Sequence, residues 1–207
     1  MVSLYFNSWM AESVMVLIAF EGIDKSGKGT QADLLFRRLE ATGRAVECIE
    51  FPDYRTPLGR EIRRFLSGRV EFSPEVRQFL YVANRWERKR DIDAWLKGGK
   101  IVVADRYIPS GLAYGLANGL DLDWMMRLEE KLPSADIVVI IDIAVETSLG
   151  RCEPEKRDVY EMNRKFLERV RKSYLSLAKK LDWTVVDGEG SVKEVEERVW
   201  KSVSNRL

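Results

Sequence analysis

The chain has 207 residues, and its 34 basic and 33 acidic side chains leave a net charge of +1. This length suits one well-buried core, and the balanced charge gives no support to a nucleic-acid or membrane partner. The absence of histidine excludes Ser-His-Asp and Cys-His nucleophile activation, histidine metal sites and phosphohistidine chemistry. Cys48 and Cys152 have neither disulfide-framework nor metal spacing, which favours a reducing cytoplasmic location.

Residues 1–14 precede the first apolar run and lack the basic start and long apolar stretch of a signal peptide. Met10 and Met15 both offer a start, and we interpret residues 1–14 as a dispensable N-terminal extension. Residues 15–207 contain no repeat, low-complexity segment or linker. They are therefore predicted to form a single domain.

Five apolar, β-branched runs recur along the chain, at residues 16–20, 46–51, 101–104, 137–143 and 183–186. None alternates cleanly between apolar and polar residues, so we predict strands that are buried on both faces. Helical patterns separate these runs, at residues 28–41, 73–97, 158–181 and 191–203. The alternation predicts an α/β fold with a parallel sheet covered by helices on both faces. Ligands then collect at the carboxyl ends of the strands.

The first strand leads into a glycine-framed turn, Gly22-x4-Gly27-Lys28, and a helical pattern follows at once. Such a turn points backbone N–H groups at one anion, while the lysine ammonium reaches the outer phosphates. We therefore predict a nucleotide-phosphate loop. The Ser or Thr that usually follows the lysine and holds Mg²⁺ is Gly29 here, with Thr30 one place later. We expect the metal to be held through water or by a carboxylate from elsewhere.

Two of the apolar runs close on an aspartate, Asp105 and Asp142. A carboxylate in this position attends Mg²⁺ in P-loop enzymes. We favour Asp105, because Arg106 and Tyr107 follow it and an arginine there can bind phosphate through two N–H groups. A capping or salt-bridged role is the better interpretation of Asp142.

Tyr81, Arg85 and Arg88 share one face of the long middle helix, at i, i+4 and i+7. A base can stack on the ring while the arginine reads its edge. A solvated basic face packed by aromatic residues gives the same pattern, and both interpretations stay open.

Residues 151–157 are polar and contain Pro154. An ordinary surface loop is the simpler interpretation, and a flap that brings cations over phosphates is the alternative.

Taken together, these residues resemble the thymidylate kinase family of P-loop nucleoside-monophosphate kinases, from about residue 15 to the C-terminus. The motifs that carry the resemblance are Phe20-Glu-Gly-Ile-Asp24, Phe51-Pro52, Ala83-Asn-Arg-Trp86, Asp105-Arg-Tyr107 with Ser110-Gly111, and Tyr160-Glu161. The resemblance implies a three-layer P-loop NTPase fold with a five-stranded parallel sheet flanked by helices, and a flap at about residues 146–160. It also implies a homodimer with Mg·ATP as donor and dTMP as acceptor, in dTTP biosynthesis.

The resemblance also implies roles for residues at matching positions. The ATP-binding set is Gly22, Ile23, Asp24, Lys25, Ser26, Gly27, Lys28, Gly29, Thr30 and Arg151. The dTMP-binding set is Asp24 for the 3′-hydroxyl, Tyr81 for stacking, Arg85 for the O4 edge of the base, Tyr114 beside the sugar, Phe51 and Tyr160 in the pocket, and Arg106 and Arg55 for the phosphate. The catalytic set is Lys25, Lys28, Arg106 and Asp105, of which Asp105 holds Mg²⁺ directly or through water.

Two positions depart from the family pattern. Eukaryote-like members place a phosphate-binding arginine two residues after the Phe-Pro pair, where this chain has Tyr54 and then Arg55. Lys25 stands where eukaryote-like members often carry arginine and many bacterial members carry glycine. A cation there suggests that Lys25 helps to neutralise the transferred phosphoryl group.

Two alternatives remain at this point. A kinase for another nucleoside monophosphate or for a deoxynucleoside shares the Glu-Gly start and the Asp-Arg motif, and Asp53 is the candidate base that a hydroxyl acceptor requires. A nucleotide-gated switch protein without a small-molecule acceptor is the alternative from another class. It leaves the Tyr81/Arg85 and Asp105-Arg106 pairs unexplained.

Overall fold

The computed structural model describes residues 15–151 and 158–207. The predicted extension at residues 1–14, and residues 152–157 of the predicted flap, lie outside the described residues. The strands are β1 Val16–Glu21, β2 Val46–Glu50, β3 Ile101–Asp105, β4 Ile137–Asp142 and β5 Thr184–Asp187. The helices are α1 Lys28–Ala41, α2 Pro57–Leu66, α3 Pro74–Lys97, α4 Ile108–Ala117, α5 Leu122–Glu129, α6 Val145–Gly150, α7 Arg164–Leu181 and α8 Val192–Val203, and a 3₁₀ turn follows at Ser204–Arg206.

The five strands form one parallel sheet in the order β2-β3-β1-β4-β5. One face packs against α3, α4 and α7 through a core that includes Ile92, Leu112 and Leu167. The other face packs against α1 and α8 through a second core that includes Leu35 and Val199. These three layers confirm the predicted α/β fold class and the five-stranded parallel sheet.

The prediction that every strand is buried on both faces holds for the three central strands and is wrong for the two edges. All six residues of β1 are buried, whereas β2 has a single buried residue, Ile49. In β5 only Val186 is buried, and Val185 is 45% exposed. An edge strand has a neighbour on one side only, so the flanking helices do not reach across all of its side chains.

The predicted helix start at residue 158 is also wrong, because α7 begins at Arg164. The Asp158 carboxylate accepts hydrogen bonds from the backbone N–H groups of Tyr160 and Glu161, at 2.8 and 2.9 Å, which closes a turn instead. Asn163 then caps the helix by accepting from Phe166 N at 3.0 Å. Asp and Asn side chains compete with helical backbone bonds in this way.

Strand register brings the chemistry-bearing residues to one edge of the sheet. Phe20 of β1 lies opposite Asp105 of β3, so the phosphate loop after β1 and the Asp105-Arg106 pair emerge side by side. This is the edge at which parallel sheets bind ligands. Among the described helices, none has the length and apolar character needed to cross a membrane.

Candidate active site

The phosphate loop joins β1 to α1, and glycine is required at two of its positions. Gly22 has a φ of 138°, and a Cβ there would lie 2.5 Å from the Ile141 carbonyl oxygen. Gly27, with a φ of 93°, is the N-cap of α1. Both angles lie in the region that favours glycine. The turn places the unpaired N–H groups of the first turn of α1 at the carboxyl end of β1.

Lys28 lies in that first helical turn and is only 8% exposed. Its Nζ lies 3.9 Å from Asp24 Oδ1. Burial and the neighbouring Arg106 lower the pKa of Lys28, while Asp24 and Asp105 oppose that shift. A buried cation next to the phosphate loop, balanced by carboxylates, is suited to bind a polyanion.

Arg106 follows β3 in the left-handed conformation, with a φ of 65°. Its backbone N–H donates to Phe20 O at 2.9 Å. Its Nη2 donates to Asp24 Oδ1 at 2.6 Å, and its Nη1 donates to Gly22 O at 3.1 Å. This conformation costs on the order of 1 kcal/mol or more in a residue other than glycine. The contacts to β1 and the loop hold Arg106 in it.

Asp24 connects the phosphate loop to side chains of α4 and α6. Its Oδ2 accepts from the Tyr114 hydroxyl at 2.8 Å, and its backbone oxygen accepts from Ser148 Oγ at 2.8 Å. Burial alone would raise the pKa of Asp24, but Arg106 and Lys28 outweigh burial and hold the pKa below its usual value. The carboxylate is therefore ionised at neutral pH.

Glu21, the last residue of β1, binds two hydroxyl groups that also contact Arg106. It is fully buried and accepts from Tyr107 N at 2.7 Å, Ser110 Oγ at 2.5 Å and the Tyr174 hydroxyl at 2.9 Å. Arg106 Nη1 in turn donates to Ser110 Oγ at 3.0 Å and to the Tyr174 hydroxyl at 3.3 Å. Our sequence analysis gave no role to Glu21 or Tyr174. The available signal was a charged residue directly after an apolar run, at the end of a buried strand, because a buried charge requires partners.

Asp24 and Arg106 form one wall of a pocket. The other walls are formed by helices α3 and α4, by the segment that follows β2, and by the turn that precedes α7. Seven of the eight predicted acceptor-side residues line it: Asp24, Phe51, Tyr81, Arg85, Arg106, Tyr114 and Tyr160. Further lining residues that the sequence analysis did not assign are Pro52, Tyr54, Leu66, Asn84, Tyr107, Ser110, Gly111 and Asp158. The pocket thus combines six aromatic residues with six polar or charged ones, and such a combination can hold a ring and fix its orientation.

Aromatic rings build the wall of this pocket that adjoins α7. Tyr160 stacks on Phe166, with ring centroids 4.9 Å apart and an interplanar angle of 11°. Tyr114 meets Tyr160 edge-on at 5.3 Å. Burial raises the pKa of both tyrosines, so each hydroxyl is neutral and able to donate a hydrogen bond.

Arg55, the eighth predicted acceptor residue, lies outside this pocket. Its Nε and Nη2 both donate to the Asp53 carboxylate at 2.8 Å. Arg55 instead shares a neighbouring groove with Gly29 and Asp105. The Asp53 carboxylate also accepts from Arg88 Nη1 at 2.5 Å. The bonds from Arg55 lower the pKa of Asp53 to about 2, so Asp53 is a poor general base.

A third, separate groove is lined by the loop residues Lys25, Ser26, Gly27 and Thr30, by Arg151 and by the segment between β5 and α8. Arg151 Nη1 donates to the Lys25 carbonyl oxygen at 3.1 Å. The structure therefore places the predicted flap arginine against the phosphate loop. It also gives Lys25 a positive φ of 58°.

Asp105 is suited to a divalent cation that binds together with phosphate. In the described part of the chain its Oδ1 is buried without a hydrogen-bond partner. Its Oδ2 lies 2.6 Å from the position of a Cβ at residue 29, so Gly29 leaves room for this carboxylate. The described residues contain no cluster of three His, Cys, Asp or Glu able to hold a metal. Mg²⁺ is commonly bound by one or two carboxylates plus substrate phosphates and water, and Asp105 fits that pattern.

Asp142 has a different role. Its two carboxylate oxygens accept from Arg171 Nε and Nη2 at 2.7 and 2.8 Å. The interpretation of Asp142 as a salt-bridged residue is confirmed.

Comparison with known proteins places this chain in a family. The protein-family model described as thymidylate kinase matches residues 20–199. The thymidylate kinase of Schizosaccharomyces pombe is 31% identical over 194 residues, which cover 91% of each chain. The human thymidylate kinase is 32% identical over 193 residues, covering 92% of this chain and 90% of its own. Among solved structures, the thymidylate kinase of Candida albicans aligns with a TM-score of 0.81 and 28% identity over 92% of each chain.

Proposed function

Because this chain belongs to the thymidylate kinase family, we propose that it transfers the γ-phosphoryl group of ATP to dTMP, producing dTDP for dTTP synthesis. The family assignment confirms the resemblance that the motifs indicated. The observation that carries the proposal is the wall shared by the phosphate loop and the aromatic pocket, where Arg106 bonds Asp24 at 2.6 Å. One cation thus adjoins both the donor and the acceptor positions.

On the acceptor side, the proposed roles follow the lining of the pocket. Tyr81 stacks on thymine and Arg85 donates to its O4 edge, with Phe51 packed alongside. Asp24 accepts from the 3′-hydroxyl, and Tyr114 and Tyr160 enclose the sugar. These roles use neutral rings for the base and the ionised Asp24 for the hydroxyl.

No general base is required for this reaction. The acceptor phosphate has a second pKa near ~6 and is largely ionised at neutral pH. The task is to bring two anions together and to stabilise charge on the transferred group. Lys28 and Arg106 supply fixed positive charge there, and Lys25 and Arg151 add to it from the donor side. The absence of histidine is therefore compatible with this reaction.

On the donor side, the loop from Gly22 to Thr30 and Arg151 are proposed to bind the ATP phosphates. Asp105 is proposed to hold Mg²⁺, directly or through water. When bound, Mg²⁺ neutralises phosphate charge and orients the phosphoryl oxygens. Arg55 lies on this side of the structure, close to Asp105, so its proposed contact with the acceptor phosphate requires it to leave Asp53.

We also propose the homodimer that the family resemblance implies. Support comes from an exposed apolar surface on α3 and α5, formed by Val76, Phe79, Trp86 and Met126, each 41–49% exposed. Apolar patches of this kind mark interaction sites. A cytoplasmic location, expected from the cysteine pattern, likewise stays a proposal.

The structure does not favour a deoxynucleoside kinase or a switch protein. A deoxynucleoside kinase must deprotonate a hydroxyl, and Asp53, the candidate base, is bound by Arg55 and Arg88 outside the aromatic pocket. A switch protein that has no small-molecule acceptor would not need an aromatic pocket beside the phosphate loop.

The test is a coupled assay of ADP formation with dTMP, dUMP, UMP and thymidine in parallel. We expect dTMP to give the highest kcat/KM and thymidine to give no rate above the ATPase background. Equal rates with all four compounds, or no heat of dTMP binding by calorimetry, would refute the proposal.

A further inference from the structure

Arg85, which lines the acceptor pocket, belongs to a buried ion pair. Arg85 of α3 and Glu129 at the end of α5 are 2% and 4% exposed. Arg85 Nε donates to Glu129 Oε2 at 3.1 Å, and Arg85 Nη2 donates to Glu129 Oε1. The pair is therefore bidentate, with both carboxylate oxygens used.

Stability alone does not explain such a pair. Two apolar side chains of similar volume stabilise a core as well as a buried ion pair does, or better. What a bidentate carboxylate adds is orientation, because it fixes the plane of the guanidinium and removes two of its five N–H groups from other use. No described residue accepts a bond from Arg85 Nη1, and Arg85 lines the pocket. The remaining donors are thus available to a base.

Gly111 of α4 packs closely against the guanidinium. A Cβ at Gly111 would lie 2.9 Å from Arg85 Nη2 and 3.4 Å from Glu129 Oε1. The Gln78 amide would lie 3.2 Å from the same point. Gly111 therefore packs directly on the ion pair, and a larger residue there would press on it.

We infer that Glu129 is a positioning residue that sets the base specificity of the acceptor site, an inference that rests on the proposed function. Glu129 neutralises Arg85 and directs its free N–H groups at the base. The site then offers directional donors to a neutral ring, which favours a pyrimidine with a carbonyl at C4. A 4-amino pyrimidine presents a donor to these donors and is rejected.

The test compares Glu129→Gln with wild type on two acceptors: dTMP and its analogue without the 4-oxo group. Gln keeps the shape of the side chain but directs an amino group at the guanidinium, so one of the two bonds is lost. We expect the KM for dTMP to rise about 10- to 30-fold with kcat within about twofold. The KM for the analogue, which has no oxygen for Arg85 to bond, changes by no more than about twofold.

Two controls separate positioning from general disruption. Glu130→Gln makes the same change at the adjacent, exposed position, and we expect wild-type kinetics. Glu129→Asp keeps the charge on a shorter side chain, and we expect a KM for dTMP between those of wild type and Glu129→Gln. In an Arg85→Ala background, Glu129→Gln should add no further rise in KM.

The inference is overturned by equal losses with both acceptors, or by a fall in kcat at constant KM. If Glu129→Gln does not fold, Glu129→Asp supplies the same two-acceptor comparison. The wild-type rate with dTMP tests the proposed function alone, so failure of the proposed function and failure of this inference give different results.

Discussion

At the scale of single residues, the site depends on buried charges that compensate one another. Arg106 is held by Asp24, Gly22 and the groups that Glu21 orders. The sequence allowed Asp24, Arg106 and Lys28 to be predicted, because they lie in or next to recognisable motifs. It did not reveal that Glu129 pairs with Arg85, because that contact joins two helices far apart in the chain.

Lys28→Ala is expected to lower kcat by about 10²- to 10³-fold, because a fixed cation at the transferred phosphoryl group is lost. The fold should persist, since the change also removes a charge from a buried position. Steady-state kinetics and thermal unfolding test both points. Arg37→Ala, which removes a cation from the exposed side of the same helix, serves as the control. A near-normal rate for Lys28→Ala would reject the catalytic assignment.

Asp158 gives a prediction for the pH dependence of stability. Burial, and then the nearby Asp24, raise the pKa of Asp158 from 3.8 to about 6. The folded chain thus binds more protons than the unfolded chain between these pH values, and this group makes stability fall as the pH rises through that range. At pH 8, the free energy of unfolding of Asp158→Asn should be about 3 kcal/mol higher than that of wild type.

The same difference should vanish at about pH 2.5, well below both pKa values, where Asp158 is protonated in both states. Urea unfolding at a series of pH values measures it. Asn retains the oxygen that accepts from Tyr160 N and Glu161 N, so the turn is preserved. Glu71→Gln, at an exposed loop position, should follow wild type. A constant difference at all pH values would contradict the assignment to Asp158.

At the scale of elements, the long helices were predictable and several short ones were not. In α3 the signal is local, because Ser73 caps the helix and Pro74 occupies its first turn. In α4 the signal is weakened by Gly111 and Gly115. A Cβ at Gly115 would lie 2.1 Å from Met125 Sδ. The close packing of α4 on α5 therefore requires glycine, which lowers the intrinsic helix propensity.

The capping box of α8 gives a test at this scale. Ser191 Oγ accepts from Glu194 N at 3.3 Å, and the Glu194 carboxylate accepts from Ser191 N at 2.8 Å. Ser191→Ala should lower the free energy of unfolding by about 1 kcal/mol, or about 2–4 °C in Tm. Calorimetry checks this. Ser202→Ala within the same helix should change stability by less than about 0.5 kcal/mol, and an equal loss there would argue against a capping effect.

At the scale of the whole molecule, the apolar surface on α3 and α5 predicts the oligomeric state. Phe79 is 49% exposed and meets Trp124 edge-on at 5.4 Å. Phe79→Glu places a charge within this surface and should convert a dimer to a monomer, because a buried unpaired charge is costly at an interface. Sedimentation velocity measures the mass. Val185→Glu, at a site of similar exposure on β5, should leave the mass unchanged, and a wild-type monomer would refute the homodimer.

The backbone N–H of Arg106 donates a hydrogen bond to Phe20 O of the central strand β1. The phosphate loop follows directly from the same strand. If the proposed sites are right, the sheet therefore fixes the distance between the two nucleotides. A bulkier acceptor gains no room by pushing them apart. Altered substrate choice, whether natural or engineered, has to come from the far walls of the pocket, where helices rather than strands set the shape.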